Sequence, residues 1–136
     1  MRDCSGSVEV RRAGGGRGMG LFAARAVPAG ARLYDPAARV RIPRPALEAI
    51  VEASGPRAAR ALLSWGWAEG PVFVLPVSHE VYVNHAPGAR ANCREGVALR
   101  ALAAGEEVLE DYSLFDAVEP WYGALAARYG AWVARA

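Results

Sequence analysis

The ten residues Asn84-His85-Ala86-Pro87-Gly88-Ala89-Arg90-Ala91-Asn92-Cys93 hold both asparagines of the chain and one of its two histidines. Elsewhere the sequence avoids amides: it has no glutamine, and no lysine or threonine either. An amide side chain donates and accepts hydrogen bonds at once, so it can pin backbone and ligand together. An Asx turn closing a strand needs one asparagine, whereas two and a histidine in a single polar loop point towards a site. The loop follows residues 80–83, which read as a strand, and precedes residues 97–102, which read as another. His79 and His85 lack cysteine and carboxylate partners at ligand spacing, so no metal site is expected.

Working outward, short strand patterns dominate both ends of the chain. Residues 7–12 alternate about Val8 and Val10 and break at Gly14-Gly15-Gly16. Residues 19–27 read as a strand entering a turn at Pro28-Ala29-Gly30, with 32–34 returning and 39–42 a further strand before Pro43. Helical spacing follows over 45–53 and 57–65, divided by Gly55-Pro56, with Leu47, Ile50 and Val51 on one face and Ala58, Leu62 and Trp65 on another. Residues 72–75 and 107–109 read as strands. A terminal helix enters near Glu119-Pro120, with Trp121, Leu125, Tyr129 and Trp132 at i, i+4, i+8 and i+11. One segment also repeats. Arg25-Ala26-Val27-Pro28-Ala29-Gly30-Ala31-Arg32-Leu33 is similar to Arg100-Ala101-Leu102-Ala103-Ala104-Gly105-Glu106-Glu107-Val108, 75 positions later. Each reads as strand, glycine turn, strand. The expected fold class is therefore mainly β with short helices, built from short curved sheets.

A chain of 136 residues is about one domain by the usual 100–200 residues per domain, so residues 1–136 are read as a single domain. Hydrophobic residues at 53% and charged residues at 22% exclude a disordered tail. No run approaches 18 apolar residues, so no membrane span is expected. Residues 1–10 have no apolar stretch of the kind a secretion signal needs, and two cysteines are too few for a disulfide scaffold. A cytoplasmic protein is expected. All sixteen basic residues are arginine, the net charge is +2, and no basic cluster is interleaved with aromatics, so no direct nucleic-acid binding is expected. Heavy use of Ala, Arg and Gly reads as GC-rich coding, which points to a bacterial source.

Two further stretches carry polar chemistry. Gly14-Gly15-Gly16-Arg17-Gly18-Met19-Gly20 is not a phosphate loop, because it lacks the Gly-Lys-Ser/Thr ending and runs into Leu21-Phe22-Ala23-Ala24, a strand pattern. Glycines flanking Met19 would instead let backbone approach a ligand closely. Gly105-Glu106-Glu107-Val108-Leu109-Glu110-Asp111-Tyr112 places a turn and two acids before a short strand ending in tyrosine. Taken alone, it is a strand with a core tyrosine.

In this order, the three stretches resemble the motifs of SET-domain protein methyltransferases. Gly16-Arg17-Gly18-Met19-Gly20-Leu21-Phe22-Ala23 is similar to that family's opening Gly-x-Gly motif. Asn84-His85, with Asn92-Cys93 closing the loop, resembles its Asn-His-Ser-Cys-x-Pro-Asn-Cys segment, and Gly105-Glu106-Glu107 with Asp111-Tyr112 resembles its Gly-Glu-Glu-Leu-Thr-Phe-Asp-Tyr block. The resemblance implies a β-clip fold over residues 7–112, with the second and third motifs joined in a C-terminal pseudoknot and residues 113–136 a helical segment. It implies S-adenosylmethionine (SAM) as cofactor, a lysine of a protein substrate as acceptor, and protein-lysine N-methyltransferase activity. Carried over by position, Gly18, Met19 and Gly20 lie against the cofactor, Asn84 and His85 hold it, and Tyr112 is catalytic.

The sequence departs from the family pattern in places. Glu110 stands where relatives carry an aromatic lining the lysine channel, and a carboxylate there would hold the ammonium charged. Either it points elsewhere, or the substrate is not the usual lysine, or activity is low; the alternative function is a SET-fold protein-binding module. Ala86-Pro87 replaces Ser-Cys, and Ala91 replaces Pro. No Cys-x-Cys tail follows Tyr112, so the zinc-bearing lid of many relatives is missing; the aromatic face of the terminal helix either packs onto the core or lets Trp121 or Tyr122 cover the adenine ring instead, and both can hold. Tyr82 either lines the channel or packs.

Overall fold

The computed structural model describes residues 2–114 and 118–133. The chain packs as two compact units, Met1–Ala38 with Ser78–Leu114, and Arg39–Val77 with Phe115–Ala136. Each has its own buried core.

The first unit begins with β1 (Val8–Arg12) and β2 (Met19–Ala23), an antiparallel pair in which Val8 faces Ala23 and Arg12 faces Met19. The apolar positions Val8, Leu21 and Ala23 go inward while Glu9 and Arg11 stay exposed, the alternation a half-buried strand requires. β2 stops at Ala23, short of the expected end at residue 27. The two similar segments explain why. They do not fold back as separate hairpins but lie antiparallel along each other in one continuous register. Ala23 exchanges hydrogen bonds with Gly105 and Glu106, Val27 with Leu102 in both directions, and Ala98 donates to Ala31. Val27 thus pairs with its own counterpart in the repeat, so this ladder has a local two-fold relation centred on Val27 and Leu102. Both side chains are buried, at 2% exposure each.

β6 (Asn84–His85), β7 (Cys93–Arg94), β8 (Val97–Ala98) and β9 (Leu109–Glu110) form a four-stranded sheet in the order β6-β9-β7-β8. β9 comes last in sequence yet sits between β6 and β7, parallel to both. Ala86 N–H donates to the Glu110 carbonyl on one side and Asn92 N–H to the Leu109 carbonyl on the other. Residues 80–83, expected as a strand, are a 3₁₀ turn, His79–Tyr82, capped by the Ser78 hydroxyl accepting from Glu80 N–H.

β7 and β8 are joined by a two-residue turn in which Glu95 (φ 48°) and Gly96 (φ 83°) are both left-handed, the primed geometry that matches strand twist. A Cβ on Gly96 would lie 2.5 Å from the Tyr34 carbonyl oxygen. Gly105 is also left-handed (φ 88°) but has open space around it. Gly96→Ala is therefore expected to cost about 2 kcal/mol or more, and Gly105→Ala about 1 kcal/mol, in urea unfolding. Equal losses would show that crowding against Tyr34 contributes nothing.

In the second unit, β3 (Arg39–Pro43), β5 (Val72–Pro76) and β4 (Trp67–Glu69) form an antiparallel sheet in the order β3-β5-β4. β4 has no counterpart in the sequence reading. α1 (Arg44–Ser54) and α2 (Pro56–Trp65) each carry a proline in the first turn, where its missing N–H costs nothing. They bury Leu47 with Val51, and Ala59 with Leu63, pairs one turn apart. The buried side of α2 is thus Ala59 and Leu63, with Ala58 and Trp65 exposed, one position round from the expected face. α3 (Pro120–Tyr129) is the expected terminal helix. Ala131 N–H closes onto the Ala126 carbonyl and ends it, so Trp132 falls off the predicted stripe and is 55% exposed. The buried residues of α3 are Tyr122, Leu125 and Ala126. Residues 115–117 and 134–136 of the expected helical segment lie outside the described residues. No described helix is long and apolar enough to cross a membrane.

Candidate functional site

The threading of β9 determines which side chains meet. On one flank, His85 faces Glu110 across the parallel pair, and Tyr112 follows two residues later. Tyr112 N–H donates to His85 Nδ1 at 3.0 Å, which leaves the imidazole proton on Nε2. The two rings lie 5.3 Å apart, centroid to centroid. The Tyr112 hydroxyl donates to the Val83 carbonyl, just ahead of β6. Burial, with the carboxylates of Glu110 and Glu80 nearby, pushes that hydroxyl's pKa above the ordinary tyrosine range and keeps it protonated.

On the other flank Asn92, 2% exposed, works as a pin. Its amide donates to the Glu107 carbonyl at 2.8 Å and accepts from Leu109 N–H at 2.9 Å, matching both polar groups of the incoming strand. Asp111 ties the intervening loop to the strand's exit by accepting from Gly88 N–H at 2.9 Å and from Ser113. The Ser113 hydroxyl first, and then the Gly88 N–H, hold the Asp111 carboxyl below the usual range.

The glycine stretch joins the same cluster. Asn84 Nδ2 donates to the Met19 carbonyl at 3.1 Å and to Glu107 Oε2 at 2.8 Å. Arg17 reaches Glu107 Oε1 at 2.6 Å. The reason for Gly20 is internal, where close approach to a ligand was expected. A Cβ there would lie 2.7 Å from Glu107 Oε2 and 3.2 Å from Asn84 Nδ2. Gly18 has φ 75° with open space around it, and Met19 is 46% exposed.

Of the residues that sequence reading singled out, Met19, Gly20 and Asn84 meet around Glu107 and His85 meets Tyr112, while Gly18 has open space around it. That reading passed over Arg17 and Glu107, which link the glycine stretch to the third motif. The pairing of Phe22 with Glu107 was the signal, and it depends on a long-range register that local patterns do not carry.

Glu110 is turned away into the core. It is 3% exposed, and its two oxygens accept from the Tyr34 hydroxyl at 2.8 Å and from Glu95 N–H at 2.7 Å. Cys93, 1% exposed beside it, has its thiol pushed up to about 12 by burial and by the Glu110 charge. Tyr82 is 39% exposed on the 3₁₀ turn. Trp121 belongs to the second unit, where its indole N–H donates to the Gly70 carbonyl at 2.7 Å and Arg44 stands 5.3 Å over its ring. Tyr122, the other candidate cover, is 2% exposed in that unit's core and donates to the Leu63 and Gly66 carbonyls. A ring so enclosed covers no ligand.

The donor set suits a zwitterionic amino acid joined to a nucleoside. Arg17, with 43% of its side chain exposed, offers a cation for a carboxylate. Asn84 Oδ1, which no hydrogen bond reaches among the described residues, offers an acceptor for an ammonium. The exposed His85 ring and Met19 offer apolar surface with an N–H donor. Among the described residues, no three His, Cys, Asp or Glu side chains are grouped as metal ligands. No protein-family model and no curated protein matches the chain.

Proposed function

We propose that the protein is a SET-domain, SAM-dependent protein-lysine N-methyltransferase of minimal size, acting in the cytoplasm. One observation carries the reading. β9 lies between two strands that precede it in sequence and run parallel to it, which is how the family's pseudoknot joins its second and third motifs. That threading brings Tyr112 to His85 and the Met19 carbonyl to Asn84, two hydrogen-bonded pairs joined through the adjacent residues Asn84 and His85 and spanning 93 positions of the chain.

SAM bound there supplies an electrophilic methyl group on a positively charged sulfur. The chain's part is alignment, because methyl transfer is an in-line displacement and orientation supplies much of the acceleration. Arg17 and Asn84 hold the amino-acid end, and His85 the nucleoside. The Tyr112 hydroxyl, directed by its bond to the Val83 carbonyl, sets an oxygen at which an incoming amine N–H is oriented. A lysine near pKa 10.4 in water must arrive neutral, and burial beside a positive sulfur favours that form. The two Glu110 oxygens are taken by the Tyr34 hydroxyl and Glu95 N–H, so the carboxyl is not left to pair with the ammonium.

Calorimetric titration with SAM tests the reading, with micromolar affinity expected and lost in Asn84→Ala, His85→Ala. Absence of binding by the intact protein overturns it. Tyr112→Phe is expected to lower methyl transfer to lysine-rich peptides about 10²-fold through misalignment while affinity for SAM stays within about two-fold. A SET-fold binding module would show no transfer for the substitution to remove.

A further inference from the structure

Glu107 is placed to do more than end a strand. Its side chain is 10% exposed, and both oxygens are engaged, one by Arg17 at 2.6 Å and the other by Asn84 Nδ2 at 2.8 Å. We propose that Glu107 is a positioning residue that fixes the Asn84 amide in one orientation and so makes the site selective for ligands carrying a cationic amino group. This inference rests on the reading of the site as one for SAM.

An asparagine amide is nearly symmetric in shape, so only its partners decide which way round it sits. Here both partners on one side are acceptors. The Met19 carbonyl has no proton to give, and a carboxylate paired with a guanidinium has none either. The NH₂ group must face them, and Oδ1 must face the other way. Arg17 on the second oxygen favours the carboxylate orientation that faces Asn84. Gly20 leaves the room this requires, since any side chain there would collide with Glu107 Oε2 and crowd Asn84 Nδ2. The outward Oδ1 is a pure acceptor beside a negative carboxylate, which welcomes an ammonium and repels an acceptor or an anion.

The composition of the chain makes the test direct. With two asparagines and no glutamine, the native protein gives two side-chain NH₂ pairs in a proton–nitrogen correlation spectrum. In Glu107→Ala the Asn84 pair is expected to shift towards the position of a solvated amide, since only its bond to the Met19 carbonyl remains. The Asn92 pair, which depends on the Glu107 backbone carbonyl, should hold its place. An unmoved Asn84 pair overturns the proposal. If both pairs collapse, the variant has lost its fold, and the isosteric Glu107→Gln decides through binding.

The binding probes are S-adenosylhomocysteine and 5′-methylthioadenosine, the same nucleoside without the amino-acid end. The native protein is expected to prefer the first by about 10²-fold, since hydrogen bonds to its ammonium and its carboxylate each add about ten-fold. In Glu107→Gln the preference should shrink about ten-fold, because a glutamine amide can present either a donor or an acceptor and leaves the Met19 carbonyl alone to orient Asn84. Affinity for 5′-methylthioadenosine should stay within two-fold, which a general loosening of the fold would not allow. An unchanged preference in the variant overturns the proposal and leaves the cofactor reading standing. Failure of the native protein to bind either nucleoside overturns both, whatever the Asn84 spectrum shows.

Discussion

Asn92→Ala is expected to lower the unfolding free energy by about 2–5 kcal/mol, because two buried polar groups lose their partner at once. Leu109 N–H and the Glu107 carbonyl both bond to the Asn92 amide, which is 2% exposed, so water cannot step in without opening the sheet. Total stabilities of 5–15 kcal/mol make this a large fraction of what holds the chain folded. Asn92→Asp separates the two bonds. It keeps an acceptor for Leu109 N–H but sets a carboxylate against the Glu107 carbonyl, so it should be nearly as damaging. Urea unfolding of the three proteins checks this. A loss below about 1 kcal/mol for the alanine variant would mean that the backbone pairing of β9 alone fixes the strand.

The consequence reaches the site. β9 is two residues long, and a strand that short has little pairing of its own to hold it. It stays because it is gripped from both sides, by Ala86 and Asn92 through the backbone and by Asn92 again through its side chain. Glu107 lies just before this strand and Tyr112 just after it. Their distances to Asn84 and His85 are therefore set by the grip and not by local conformation. The Val27–Leu102 ladder supplies the rest of the frame. It carries the glycine turn of the third motif back to β2, so Glu107 arrives opposite Phe22 and within reach of Arg17.

What the sequence made legible follows from the range of the interactions involved. α1, α2 and α3 carry a proline in the first turn and apolar residues one turn apart, signals that span four residues and survive any tertiary arrangement. Val8 and Val10 alternate within β1 for the same reason. The turn at residues 79–82 was misread because Val81, Tyr82 and Val83 look like a strand by residue type, while the Ser78 cap that bends them depends on one hydroxyl. The repeat at residues 25–33 and 100–108 was visible, but its partner was not. A glycine turn suggests a local hairpin, and pairing with a segment 75 residues away leaves no local mark. Asn84, His85 and Tyr112 stood out through rarity and order. Arg17 did not, since in a chain with sixteen arginines no single one is informative.

Glu110→Gln is expected to make the protein more stable relative to the native chain as pH rises, and the sign follows from burial. The carboxyl is 3% exposed, and burial raises its pKa above the glutamate value of 4.5; the Glu95 N–H and the Tyr34 hydroxyl oppose that, and the charges of Glu80 and Glu95 add to it. A carboxyl raised on folding favours the folded state fully below its unfolded pKa, and that contribution is lost as pH climbs through the folded one. The native protein therefore gives up stability on account of this group as pH rises above 4.5, and a neutral glutamine does not. The amide also fits the partners, because its oxygen can accept from Glu95 N–H while its NH₂ donates to the Tyr34 oxygen. Glu110→Ala differs in kind. It strands the Tyr34 hydroxyl and the Glu95 N–H and opens a cavity, at a cost of about 3–5 kcal/mol. Because Glu95 N–H belongs to the left-handed turn that joins β7 to β8, that loss should loosen the strand on the far side of β9 first. Urea unfolding at several pH values between 4 and 8 reads both effects. A glutamine variant whose advantage stays flat or falls with pH would show that Glu110 is held charged throughout, and that its burial is offset by the donors around it.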